Sequence, residues 1–325
     1  MLFRSNNARL DPESIRVSND GKSVFVSDEY GPYVYQFDRA SGQRIRFFTL
    51  PPAFAVAHPN TTTASETGSG GTALNTSGRV ANKGMEGLAI TPDGRTLVGA
   101  MQSPLIQDGG TTKAGVYTRI VTIDIGSGRV THQYAYKLEA VSGSAISEIL
   151  AVNDHQFLVD ERDSTGFETS TTSNTPALEK KLFEIDLNGA TDVSDVVSLN
   201  NASFTPVTKT LFLDVVAALG SQGIAADTIP AKLEGIAFGP DVEMNGQSRH
   251  TLYLSNDNDF VSYVAVPGGA ENPNRVFVFA FDDADLPLDG KLQPQQLHLP
   301  KSPGHFDAPF FGGFGPPPGP GFFWP

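Results

Sequence analysis

Four stretches of the chain repeat one pattern of strands and turns, and this repeat limits the fold more than any other feature. Each stretch has a Glu near the start of a short alternating strand, then a tight turn such as Asp93-Gly94, then a second strand that ends in polar residues. A third strand follows after a loop of variable length. The stretches lie at residues 11–38, 85–130, 146–187 and 233–282. Strand triplets at this spacing predict an all-β chain folded as a β-propeller with about five to six blades.

The repeats indicate a single propeller domain over residues 1–300. Residues 57–84 are rich in Thr, Ser, Gly and Asn, which predicts a flexible insertion. Residues 301–325 form a Phe/Gly/Pro-rich tail of low complexity, outside the repeat pattern. A short helix is predicted over residues 211–220. Because the first repeat starts near residue 11, we expect the propeller to lack an N-terminal blade.

The composition excludes several classes of function. A net charge of -13 and a pI near 4.8 disfavour nucleic-acid binding and favour cations, because an acidic surface repels phosphate backbones. With no cysteine, disulfides, zinc thiolate sites and cysteine nucleophiles are excluded. No apolar run reaches the roughly 18 residues of a membrane span, and the first ten residues lack the apolar core of a signal peptide. A monomer is expected.

The hairpin turns predict which residues meet at one end of each blade. In an antiparallel hairpin, the start of the first strand lies beside the end of the second. Counting from the turns places Glu13 opposite Asp28 and Glu86 opposite Met101, next to Gln102. The same count places Glu148 opposite Val159, and it places Glu234 near residues 256–259.

Because the first strand of a blade lines the channel, the four Glu residues should converge on one mouth. Converging carboxylates need a cation, a basic side chain or a proton to offset their repulsion, and oxygen donors of this kind suit Ca²⁺. Alternatively, such carboxylates hydrogen-bond the backbone of the next blade and only hold the blades together. The predicted metal ligands are Glu13, Asp28, Glu86, Glu148, Glu234 and Asp257.

The repeats resemble the phytase-like family, a bacterial propeller family also described as "esterase-like activity of phytase". The matching stretches include DPESIRVSNDGKSVFVSDEYGPYVYQFD, MEGLAITPDGRTLVGAMQSPL and LEGIAFGPD. The resemblance implies a β-propeller, an extracytoplasmic location (periplasmic or secreted) and hydrolysis of an ester or phosphoester.

A hydrolase of this kind implies roles for residues near the Glu ring. Glu29 or Glu161 would activate water, and Lys83 and Arg162 would neutralise a small anionic ester or phosphoester substrate. The predicted substrate-binding residues are Tyr30, Asn82, Gln102, Asn256 and Asn258.

Two other functions are compatible with the same residues. Calcium-dependent lactonase-type propellers also use a Glu-Gly strand start with Asn and Asp ligands. A non-catalytic propeller that binds a ligand or a protein is the third candidate. With 23 Lys plus Arg against 36 Asp plus Glu, the chain has few cations for a phytate-like polyanion, which disfavours true phytase activity.

Overall fold

A computed structural model describes residues 10–31, 33–58, 75–111, 115–141, 143–167, 175–264 and 270–298. Most of the predicted insertion (residues 59–74) and the predicted tail (residues 301–325) lie outside the described residues. Of the helices in the described part of the chain, none combines the length and the hydrophobicity that crossing a membrane requires.

The described residues form a β-propeller arrangement of four blades, which confirms the predicted fold class, although the sequence predicts about five to six blades. The first three blades are four-stranded antiparallel sheets. The first contains β1 Pro12–Val17, β2 Ser23–Asp28, β3 Tyr33–Asp38 and β4 Arg44–Thr49, and the second contains β5 Met85–Ile90, β6 Thr96–Met101, β7 Tyr117–Asp124 and β8 Arg129–Lys137. The third contains β9 Ala145–Ala151, β10 Gln156–Arg162, β11 Lys180–Asp186 and β12 Thr208–Asp214. The fourth blade contains β13 Leu233–Met244, β14 Gln247–Asn256 and β17 Val276–Phe281, with a small hairpin of β15 Tyr263–Val264 and β16 Ala270–Glu271 before its last strand.

One α-helix lies in the described chain, α1 Val215–Ser221, directly after β12. The side chain of Asp214 caps it by accepting a 2.9 Å hydrogen bond from the backbone nitrogen of Ala217. The helix predicted over residues 211–220 is therefore partly strand, because its first residues pair with β11. Single 3-10 turns lie at Pro52–Phe54, Ile106–Asp108, Ala226–Thr228 and Asp283–Asp285.

Hydrophobic side chains hold each blade against the next. One cluster joins the first two blades through residues such as Phe25, Phe48 and Leu97. Comparable clusters join the second blade to the third and the third to the fourth. At the centre, β5 packs against both β1 and β9, and β9 packs against β13. The first strand of every blade thus borders the central channel, as the repeat predicts.

The hairpin turns and the polar strand ends lie at opposite ends of the channel. In the first two blades, Gly21 and Gly94 take φ values of 68° and 72°, a left-handed conformation that glycine adopts without strain. Residues 292–298, here called the floor segment, run across this turn end. The backbone nitrogens of Gln293 and Gln296 donate to the carbonyls of Val152 (2.8 Å) and Pro92 (3.0 Å). The floor segment therefore connects the turns of neighbouring blades.

Gly87 allows the central strands β5 and β9 to approach each other closely. A Cβ atom at position 87 would lie 2.8 Å from the backbone nitrogen of Ile149, where the neighbouring backbone cannot yield easily. We expect Gly87→Ala to lower the free energy of unfolding by about 1–3 kcal/mol through overpacking. Urea denaturation midpoints at constant m-value measure this change.

A matched control is Gly220→Ala in α1, where nothing lies within 4 Å of the added Cβ. That variant should be neutral or more stable by about 0.5–1 kcal/mol, because alanine favours the helix. Equal destabilisation by both substitutions would contradict the close-approach explanation.

Candidate functional site

Three Glu residues converge on the channel mouth because each occupies a β-bulge at the start of its blade. In the second blade Met85 pairs with Met101 and Gly87 pairs with Ala100, so Glu86 lies between the two pairs. The register skips in the same way at Glu13 and at Glu234. A bulge redirects a side chain out of the regular alternation of the strand. The predicted pairings of Glu13 with Asp28 and of Glu86 with Met101 are therefore each shifted by one residue.

The third blade differs from the prediction. Glu148 pairs with Asp160, and the predicted partner Val159 pairs with Ile149. Its register skips at Ser147, which therefore occupies the position that Glu86 has in the second blade. Ser147 is buried, and among the described residues its Oγ has no hydrogen-bond partner.

Glu148 makes contacts between blades. Its carboxylate accepts hydrogen bonds from Ser14 Oγ (2.8 Å) and from the backbone nitrogen of Leu88 (3.1 Å). Arg16 lies 3.0 Å from the same carboxylate. Burial raises the pKa of Glu148, and Arg16 and these hydrogen bonds oppose that rise. Glu148 is therefore placed as a link between blades, the alternative considered from the sequence. The four bulge positions at the mouth hold three Glu residues and Ser147.

Two further acids complete what we call the acidic mouth, which consists of Asp11, Glu13, Glu29, Glu86 and Glu234. Ligand oxygens of Asp11, Glu13 and Glu29 all lie within 4.8 Å of one another. The end of β2 positions this group, because Asp28 Oδ1 accepts hydrogen bonds from the backbone nitrogens of Asp11 (3.1 Å) and Tyr30 (3.0 Å). Asp28, predicted as a metal ligand, thus orients the chain on either side of Glu29.

Burial and neighbouring acids raise the pKa values of Glu13 and Glu29. Burial, together with Glu29, Asp11 and Glu234, raises the pKa of Glu13 to about 8, although Lys232 opposes the rise. Glu13 is exposed in the open cleft beside it, so water screens part of this repulsion. Burial and Asp11 raise the pKa of the buried Glu29 to about 7, against Arg79 and Lys83.

One carboxylate oxygen of Glu86 accepts a hydrogen bond, and the other is buried without a partner among the described residues. Gln102 Nε2 donates to its Oε1, and Lys83 Nζ donates to Gln102 Oε1 at 3.2 Å. Burial first, and then Glu13, Glu29 and Glu234, raise the pKa of Glu86 well above its usual range. Within the described part of the chain, neither Oε2 of Glu86 nor Oε1 of Glu29 has a hydrogen-bond partner. The structure thus brings the predicted residues Glu29, Lys83, Glu86 and Gln102 together.

Two basic residues flank the fourth-blade acid. Arg162 forms an ion pair with Glu234. Lys232 lies 3.1 Å from Asp257 and 2.6 Å from Asp259. Asp257, predicted as a metal ligand, is therefore paired with a lysine.

The loop that supplies Lys83 is fixed to the first blade. Tyr30 donates its hydroxyl hydrogen to Asn82 Oδ1 at 2.6 Å. Arg79 donates to the carbonyl of Tyr30 at 2.9 Å, and its guanidinium lies 4.8 Å from the centre of the Tyr30 ring. Tyr30 and Asn82, predicted to bind substrate, thus position Arg79 and Lys83 beside Glu29.

Three predicted residues make structural contacts. Glu161 is buried between the second and third blades, where it accepts hydrogen bonds from the Tyr136 hydroxyl (2.6 Å) and from Lys209 (2.7 Å). Asn258 donates to the carbonyl of Asn272 at 2.8 Å within a turn. Asn256 accepts from the backbone nitrogen of Arg275 at 2.6 Å, although it also borders the cleft beside Glu13. The predicted catalytic role of Glu161 does not fit this placement.

The sequence analysis missed Asp11, Arg79, Ser147, Asp160 and Lys232. Asp11 and Lys232 each precede a mouth Glu by two residues, so the repeat itself could have indicated them. Asp160 is buried, and burial raises its pKa to about 8 despite the nearby Arg162 and Lys180. Its position opposite Glu148 requires the true register of the third blade, which the bulge at Ser147 sets.

Fold and site together define a β-propeller with buried carboxylates gathered at one mouth of its channel. The chain belongs to the phytase-like family, described as "esterase-like activity of phytase", whose family model matches residues 2–260. This match confirms the resemblance stated from the sequence.

Other proteins are similar to parts of this chain. An uncharacterized secreted protein from Arthroderma benhamiae is 27% identical over 307 residues, a match covering 78% of this chain and 58% of the relative. The chain thus spans 58% of the length of that relative. Among solved structures, hydrazine synthase of Kuenenia stuttgartiensis is similar with a TM-score of 0.35 and 13% identity, over 75% of this chain and 52% of that one. The β-propeller domain of Cps50 (Swd1) from Myceliophteria thermophila has a TM-score of 0.33 and 11% identity, over 78% of this chain and 55% of that one.

The raised pKa values predict how stability depends on pH when divalent cations are absent. Glu13 and Glu29 titrate near 8 and 7 in the folded protein but near 4.5 in the unfolded chain. Between these limits the folded protein binds more protons than the unfolded chain, so the free energy of unfolding should fall as the pH rises from about 5 to 8. Urea denaturation in EDTA at a series of pH values measures this slope.

Glu29→Gln should flatten the slope, because it removes one of the groups that must ionise in a crowded, buried place. Glu243→Gln is the matched control, since Glu243 is an exposed residue of β13 outside the acidic mouth. If stability rises with pH in the wild type, or if both variants share its slope, the proposed crowding of charge at the mouth is wrong.

Proposed function

We propose that the chain is a Ca²⁺-assisted hydrolase of small esters that works at the acidic mouth. One observation supports this more than any other: Glu29 and Glu86 are buried and crowded by other acids, yet each keeps one oxygen unpaired among the described residues. Folding rarely leaves such groups without compensation, because an unpaired buried charge is costly. A cation and a reacting molecule are the partners that this arrangement suits.

The donor set fits a hard divalent cation. Asp11, Glu13 and Glu29 offer oxygens within 4.8 Å of one another, and Ca²⁺ takes six to eight oxygens from carboxylates, carbonyls and water. These three residues would hold the ion, and water would complete its coordination from the open cleft. When bound there, Ca²⁺ would polarise a substrate oxygen and offset the developing negative charge.

Glu86 is the best placed proton acceptor. Gln102 fixes one of its oxygens, while the other is buried without a partner within the described residues. Glu86 also belongs to the lining of the cleft. A raised pKa makes the ionised form of Glu86 a stronger base, so it can take a proton from an attacking water molecule. Lys83 holds Gln102 in place and so helps to orient Glu86. The predicted role of Glu29 in activating water passes in this proposal to Glu86.

The site favours a carboxylic ester over a phosphoester. The basic residues near the mouth already have partners: Arg162 pairs with Glu234, Lys232 pairs with Asp257 and Asp259, and Lys83 binds Gln102. A dianionic phosphate would therefore meet mostly carboxylates. A lactone is an ester of the same chemical type and would use the same groups. We also propose an extracytoplasmic location, which the similarity to a secreted protein of Arthroderma benhamiae supports.

Calcium binding is tested by thermal unfolding of EDTA-treated protein with and without added CaCl₂. Binding to the folded state alone should stabilise it by about 2.7 kcal/mol at 100 times the dissociation constant, which raises Tm. Glu29→Gln should lose most of this shift, while Glu243→Gln should keep it. No calcium-dependent shift in the wild type would rule out the proposed ion site.

Hydrolysis is tested with p-nitrophenyl acetate, p-nitrophenyl phosphate and a γ-lactone in the presence of CaCl₂. The acetate and the lactone should react faster than the phosphate. Glu86→Gln should lower kcat by about 10²- to 10⁴-fold, the usual contribution of general-base catalysis. The wild-type rate should also rise with pH, since Glu86 must be ionised. If calcium binds but no substrate reacts, the chain is a binding propeller.

A further inference from the structure

Two adjoining cavities, together called the channel, lie below the acidic mouth. The upper cavity, of about 740 Å³, lies between β1 and β13 and includes Glu13, Glu86 and Glu234 in its lining. The lower cavity, of about 430 Å³, lies toward the turn end. Ile15 and Phe238 line both cavities, so the two border each other at these side chains.

The channel becomes apolar with depth. The lining of the lower cavity includes Ile90, Leu150, Ile236 and Leu297. Its two charged lining residues are both paired, Arg16 with Glu148 at 3.0 Å and Asp241 with His250 at 2.9 Å. The charge of Arg16 is therefore offset by Glu148, and the carboxylate of Asp241 has a hydrogen-bonding partner. The walls therefore suit a hydrocarbon group better than a polar one.

The floor segment borders the far end of the channel. Leu292, Gln293, Pro294, Gln295 and Leu297 line the lower cavity. Gln295 is fixed there, because its Nε2 donates to the carbonyl of Val17 and to Asn19 Oδ1, both at 2.7 Å. The channel thus has an acidic opening and an apolar base.

The length of β1 sets the depth. From Glu13 at the mouth to Val17 beside the floor segment, four residues of strand span about 13 Å. Because an extended chain advances roughly 1.2 Å per bond, this depth corresponds to about eleven bonds. The ester group at the mouth takes about two of them, which leaves room for about eight to ten carbons.

We propose that the substrate is an ester with an apolar acyl chain of medium length, which enters the channel while the ester group stays at the acidic mouth. This inference rests on the proposed hydrolase function and adds the substrate class to it. Burial of the chain would supply affinity, and the floor segment would set the upper limit of chain length.

The test measures kcat/KM for p-nitrophenyl esters from acetate to decanoate in CaCl₂. Each added methylene should raise kcat/KM by up to about fourfold, the fold-change that full burial of one methylene gives, until the chain reaches about eight carbons. Ile15→Trp should move the optimum to shorter esters, because Ile15 borders both cavities and is 59% exposed to them and to solvent. Leu297→Trp, at the floor, should shorten the longest chain that the channel accepts.

Ile45→Trp is the matched control, since Ile45 is 54% exposed on β4 and lines neither cavity. An unchanged chain-length profile in Ile15→Trp and Leu297→Trp, or acetate as the best wild-type substrate, would overturn the proposal.

A second measurement separates this proposal from the hydrolase function. If no ester reacts, the hydrolase function fails, and calorimetric titration with 1-octanol and 1-butanol still tests the channel. Octanol binding that is tighter than butanol binding, and that is weakened by Ile15→Trp but not by Ile45→Trp, would support an apolar-chain site. No octanol binding would overturn it.

Discussion

The contact that Glu148 makes across the propeller centre is the interaction on which the arrangement of the blades depends. Its carboxylate belongs to the third blade, accepts hydrogen bonds from Ser14 in the first and from Leu88 in the second, and pairs with Arg16. A buried carboxylate is unfavourable by several kcal/mol without such partners. Because the carboxylate and its partners come from three blades, the charge is satisfied only when those blades have their native spacing. The missing Cβ of Gly87 permits the same spacing, since it lets β5 and β9 approach each other.

The acids of the mouth are chemically similar to Glu148 but differ in what surrounds them. Both carboxylate oxygens of Glu148 accept hydrogen bonds. Glu29 and Glu86, in contrast, each have one buried oxygen without a hydrogen-bond partner among the described residues, and further acids surround them. Repulsion of this kind lowers stability unless a proton or a cation offsets it. Stability alone would be served better by neutral residues, and this cost supports the bound ligand that we propose.

The repeat made the propeller, its turns and most of the mouth predictable from the sequence. Asp-Gly turns and alternating strands depend on local preferences, and local preferences can be read from a single chain. The registers of the first strands could not be read, because a β-bulge changes the pairing by one residue without a clear sequence signal. This shift explains why Glu148 was expected among the mouth acids, where the structure has Ser147. The catalytic role predicted for Glu161 does not fit the structure for another reason. Its hydrogen-bond partners Tyr136 and Lys209 lie on strands distant in sequence, so only the fold shows that its carboxylate is paired.

The bulges also explain how one strand can supply both an acidic mouth and an apolar channel. In a regular strand, residues two apart share a face, so Glu13, Ile15 and Val17 would all line the same surface in one uniform row. Because the pairing skips between Pro12 and Ile15, Glu13 leaves that row and lies close to Asp11 and Glu29. The residues after the skip keep the regular alternation of the strand. Glu234 precedes Ile236 and Phe238 in the same way. The polar end and the apolar depth of the channel therefore arise from one local irregularity repeated between blades, which places the acidic mouth next to a cavity lined largely by apolar side chains.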